Sequence, residues 1–180
     1  MAEKFEPELA DVPAIVDVPA QASNEIAEAL GYVTIASGQL EYVLRMWVKS
    51  LLGNQFSEAM IVTSRTNVTD LHVIVSALLS KSAKTLEIYS QHAGRALKLL
   101  ERRNDYVHGL FTFDDVGNPI VVTVKRDAQK GLISKAIIVK IGLIRDLAAA
   151  IHGEARELNQ LRKKLARVIK SPTDTETAPR

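Results

Sequence analysis

Eight consecutive residues, RRNDYVHG from Arg102 to Gly109, carry the side chains of this chain best suited to chemistry. A histidine moves protons near neutral pH, because its unperturbed pKa is about 6.5. An arginine grips an anion through a planar fork of N–H donors and steadies negative charge as it develops. An asparagine donates and accepts, so it can orient either partner. Arg103, Asn104 and His108 therefore suit proton transfer beside a bound anion. The same residues also have plainer uses. His108, Arg102 and Arg103 suit the negative end of a helix dipole, and Asn104 can bond a neighbouring helix. Spacing narrows the choice. Leu100, Asn104 and His108 follow at steps of four and share a helical face, with Arg103 one step of rotation away beside Leu100 and Val107. Polar groups that continue an apolar seam are costly if buried alone, so they are either satisfied within the fold or open onto a site. Arg102 adds positive potential. Tyr106 can stack on a base or sit buried with its hydroxyl bonded, the second being the commoner use.

A long helix must carry these residues, and the pattern supplies one from about Ala83 to His108, with Leu86, Ala93, Leu97, Leu100 and Val107 inward and Gly109 at the place of a left-handed cap. Upstream, Ile26, Leu30, Val33, Leu40, Leu44, Trp47 and Leu51 form a heptad stripe from about Asn24 to Leu52, with Ser37 in the gap. Ser23 or Asn24 suits its cap, and Gly53-Asn54 stops it. FSEAMIVTSR and NVTDLHVIVSALLS read as two shorter helices, the second starting near Asn67 or Thr69. After Gly109 the period changes. LFTFDD, PIVVTVKRD and LISKAIIVK are β-branched or alternating, and DVGN and AQKG separate them, which predicts a small antiparallel meander. A last helix from about Gly142 to Lys170 carries a second heptad stripe through Ile144, Leu147, Ile151, Leu158, Leu161, Leu165 and Val168. The expected fold is mainly α: an antiparallel bundle of four to five helices with a small inserted antiparallel β-meander.

The 180 residues suit one domain, expected over 23–170, and 47% apolar content is enough for a core. Residues 1–22, with three prolines, and 171–180, with two, show no period and read as disordered arms. There is no cysteine, which excludes disulfides, thiolate zinc sites and a cysteine nucleophile. No apolar stretch approaches the roughly 20 residues of a membrane helix, so a cytoplasmic protein without a membrane partner is expected. Net charge is only +2, but residues 1–30 hold one Lys against seven acids, whereas residues 31–170 hold 21 basic against 12 acidic side chains. A basic body suits a polyanion, and equally an ordinary solvated surface. The run LRKKLARVIK, with Arg162, Lys163, Lys164, Arg167 and Lys170, has the same two readings. His72, His92 and His152 are scattered, so no metal site is expected from them.

The segment RNDYVH resembles the motif of the HEPN superfamily: an arginine, a polar residue that is often asparagine, then three or more residues before a histidine. Arg103, Asn104 and His108 match it, at the end of a long amphipathic helix in a nearly all-helical domain. The likeness covers about residues 24–170 in architecture and six residues in motif; the meander is a departure that maps onto no subfamily. The resemblance implies an RNA-cleaving homodimer that needs no metal or cofactor, with two copies of the motif facing each other. It makes Arg103, Asn104 and His108 the catalytic set, with Arg102 and Tyr106 as RNA-binding candidates. It also implies a toxin or defence effector restrained by a protein antitoxin or inhibitor. The alternatives are a non-catalytic helical dimer of the same kind, binding a nucleotide or a protein partner, and a purely structural helical dimer. Fold alone does not choose among them.

Overall fold

In a computed structural model, the described residues are 20–53, 55–113, 116, 118–127 and 131–170. The two expected arms fall largely outside them. The chain runs α1 (Ala20–Leu52), α2 (Phe56–Thr63), α3 (Val68–Leu79), α4 (Ala83–Val107), β1 (Leu110–Phe113), β2 (Pro119–Asp127), β3 (Gly131–Ile138) and α5 (Ile141–Lys170). The helical bundle with its inserted antiparallel sheet is thus present. One boundary differs: α1 starts at Ala20, a turn before the expected cap at Ser23 or Asn24, so the helix takes in residues assigned to the arm.

α1 is the central strut. Its heptad positions Ile26, Val33, Leu40, Leu44 and Trp47 are buried, and so are the flanking Ala29, Ala36, Val43 and Val48. The buried band is wider than a heptad seam because α1 packs on α5 along one side and on α3 and α4 along another. α5 answers with Ile144, Leu147, Ile151 and Leu158, each almost wholly buried. Trp47 locks the pair: its indole N–H donates to the Leu158 carbonyl at 3.0 Å, and its ring meets Tyr89 of α4 edge-on at 5.3 Å. Ser37 fills the gap in the stripe without cost, since its buried hydroxyl donates to the Val33 carbonyl at 2.8 Å.

The helix ends follow local chemistry. Gly53, just past α1, has φ +69°, a left-handed conformation that suits glycine. Asn67 caps α3 as expected, its side-chain oxygen accepting from the Asp70 N–H at 2.9 Å. Gln55 and Glu58 form a capping box on α2. The meander has strand order β1-β2-β3, with Leu110 opposite Val122 and Ile120 opposite Ile138. Val121 of β2 is fully buried against the helices, with Thr112 and Thr123 buried beside it.

Gly109 corrects an expectation. It does not adopt the left-handed conformation. Glycine is required there by close approach instead: a Cβ would lie 2.2 Å from Val121 Cγ2 and 2.6 Å from the Asp105 carbonyl oxygen. The turn after α4 is pressed directly against β2.

Candidate functional site

The last turns of α4 form one wall of a cleft of about 590 Å³. Leu97, Leu100, Glu101, Arg103 and Asn104 line this wall, as their three- and four-residue spacing dictates. The opposite side is built from one face of α1, with Thr34, Ser37, Gly38 and Glu41, and from the start of α3, with Asn67, Val68 and Thr69. Elements far apart in sequence therefore converge on Arg103 and Asn104.

Arg103 is half-buried. Its Nη1 donates to the Asn104 side-chain oxygen at 3.0 Å, which fixes the two side chains relative to each other. Its Nε is buried and has no hydrogen-bond partner. A buried donor left unmade is unfavourable by about 1–3 kcal/mol, so the fold bears a cost at this position. His108 caps α4: its backbone N–H donates to the Asn104 carbonyl at 3.1 Å, and its side chain is exposed. It stands outside the cleft lining. Arg102 is exposed. Tyr106 is 6% exposed and belongs to the core. The structure thus gathers Arg103 and Asn104 in one cleft and puts His108 on the surface one turn beyond.

The sequence reading missed the far side of the cleft, above all Glu41. Its carboxylate is positioned from behind by Arg45, which is 8% exposed and also donates to the carbonyls of Thr63 and Thr66. From sequence, Glu41 and Arg45 are an ordinary i,i+4 pair on a helix surface. Nothing in the spacing shows that the arginine is buried against the end of α2, or that Glu41 shares a cleft with α4.

The other histidines are satisfied locally. His92 Nδ1 lies 2.7 Å from Glu154 Oε2, His152 Nδ1 lies 2.6 Å from Gln39 Oε1, and His72 Nδ1 lies 3.3 Å from the Tyr89 hydroxyl. Burial lowers the His72 pKa and raises that of the Tyr89 hydroxyl. Burial also pushes the Glu154 carboxyl upward, but hydrogen bonds from Arg95 and His92 outweigh this and hold it below its ordinary value. Arg162, in the basic run of α5, bonds Asn159 and Ser50, and burial lowers its pKa. It acts in the α1–α5 contact, whereas Lys163 and Lys164 are exposed. Among the described residues, no three His, Asp or Glu side chains are grouped to hold a metal ion, and no helix is long and apolar enough to cross a membrane.

Compared with family models, with curated proteins and with solved structures, the chain matches none.

Proposed function

We propose that the chain is an endoribonuclease of HEPN type that cuts single-stranded RNA without a metal, as a homodimer, in the manner of a toxin or defence effector held by a protein inhibitor. The observation that carries the reading is the cleft-facing Arg103, bonded to Asn104 and left with an unpartnered Nε. RNA brings its own nucleophile. The 2′-hydroxyl attacks the adjacent phosphorus, its proton passes to a base, and the 5′-oxygen leaves with a proton in return. Arg103 holds the phosphate and the charge that builds on it. Asn104 keeps the guanidinium aimed. His108, exposed at the end of the same helix, moves the protons. A second copy of the chain across a two-fold axis would bring its own His108 toward this cleft.

One observation favours the alternative, a non-catalytic module binding a nucleotide or protein: His108 is not among the residues lining the cleft of its own chain. The experiment that separates the two incubates purified protein with varied single-stranded RNAs and with DNA, in EDTA. Cleavage of RNA alone, leaving 2′,3′-cyclic phosphate ends, supports the ribonuclease. His108→Ala should lower the rate about 10²–10⁴-fold. Unchanged cleavage by folded His108→Ala sinks the catalytic assignment.

A further inference from the structure

The cleft has a chemical character that phosphate binding does not account for. Two acids, Glu41 and Glu101, belong to its opposite walls, with one cation, Arg103, in the lining and a second, Arg45, bonded behind Glu41. Acceptors that carry negative charge repel a second phosphate and call for N–H donors. Glu41 is the better placed of the two, because buried Arg45 fixes its carboxylate through one oxygen. Between the walls, Val68, Leu97 and Leu100 offer an apolar strip, and among the described residues no aromatic ring lines the cleft. A flat ring system can lie on that strip, but it must be selected by its edge rather than by stacking.

We propose that this cleft is a base-recognition pocket for guanine, with Glu41 reading the Watson–Crick edge of the nucleotide next to the cut. Guanine alone among the four RNA bases presents two adjacent N–H donors there, from N1 and N2, which match the two oxygens of a carboxylate. Adenine and cytosine each set a ring-nitrogen acceptor beside their amino group, and uracil flanks its single N–H with two carbonyls; a carboxylate repels these acceptors. The volume of about 590 Å³ lies within the range for a small-ligand site. The proposal rests on the cleft being where RNA binds, and it gives that RNA a sequence preference.

The test is a titration of the full chain with the four free nucleosides, followed by amide NMR shifts. Guanosine should shift the signals of residues 34–41 and 97–104, binding about tenfold to a hundredfold more tightly than the other three. Glu41→Gln replaces one acceptor with a donor, so it should lose guanosine and gain adenosine or cytidine. A merely structural Glu41 would not redirect the preference. Because Glu41 also holds Arg45, Thr34→Phe supplies a second variant that leaves that pair intact. Thr34 is exposed and its hydroxyl bonds the Leu30 carbonyl one turn back, so a ring placed there fills the cleft without removing a core residue. It should abolish guanosine shifts at unchanged Tm. Equal binding of all four nucleosides, binding of none, or shifts at these residues only with a lysine-rich peptide would each overturn the proposal. A chain that binds guanosine but cuts no RNA keeps the pocket and loses the ribonuclease; one that cuts RNA with no preference for guanine does the reverse.

Discussion

Gly109 joins the candidate site to the sheet. A methyl group there would meet Val121 at 2.2 Å and the Asp105 carbonyl at 2.6 Å, and the second of these is backbone that cannot swing aside. Gly109→Ala should therefore cost about 1–3 kcal/mol in urea unfolding, and an unchanged midpoint would mean that the α4–β2 contact is looser than described. Arg103 makes a different prediction. Its paired Nη1 and unpartnered Nε both belong to the planar fork. Lysine keeps the charge without the fork, so Arg103→Lys should cut RNA poorly while melting close to wild type. Asn104→Ala, which releases the guanidinium, should show a smaller loss of rate. Both are checked by initial rates on one RNA at equal folded concentration.

At the level of elements, α1 and α5 hold the molecule and α4 carries Arg103 and Asn104 of the candidate site. Trp47 is fully buried, bonds α5 and touches Tyr89 of α4. Trp47→Ala should cost about 3–5 kcal/mol, the largest loss of any change suggested. Glu154 of α5 ties down His92 and Arg95 of α4. Its folded pKa lies below the unfolded one, so the unfolded chain takes up the proton first. That stabilisation is present above about pH 4.3, the unfolded value, and is lost as pH falls through the lower folded value. Glu154→Gln should flatten the acid limb of a stability–pH curve; an unaltered limb would mean that other groups set it. The heptad stripes of both long helices and the change of period after Gly109 were legible, because periodicity records which face is buried. The cap at Asn67 was legible because its chemistry is local. The early start of α1 was not, since Ala20 and Gln21 carry no cap signal and the apolar stripe begins only at Ile26. Arg103 and Asn104 could be picked out by type, but their cleft could not, because Glu41 and Thr69 reach it through tertiary packing that no spacing encodes.

For the molecule as a whole, assembly is the decisive quantity. A two-fold dimer through the end of α4 would place one His108 near its partner's cleft, and light scattering at tens of micromolar should show twice the monomer mass. Tyr32, Ile35 and Tyr42 form an exposed apolar row on α1. Ile35→Glu should leave a dimer built at α4 intact, whereas its dissociation would place the interface on α1. The contact between Gly109 and Val121 has one further consequence, for motion. The three strands pair chiefly with one another and meet the helices mainly through α4. Such a unit can open while the bundle stays closed. Amide hydrogens of β2 and β3 should then exchange with deuterium well before those of α1 and α5. Such an opening would swing about the turn between α4 and β1, so the exposed His108 would breathe with the sheet while Arg103, within α4, keeps its place in the helix.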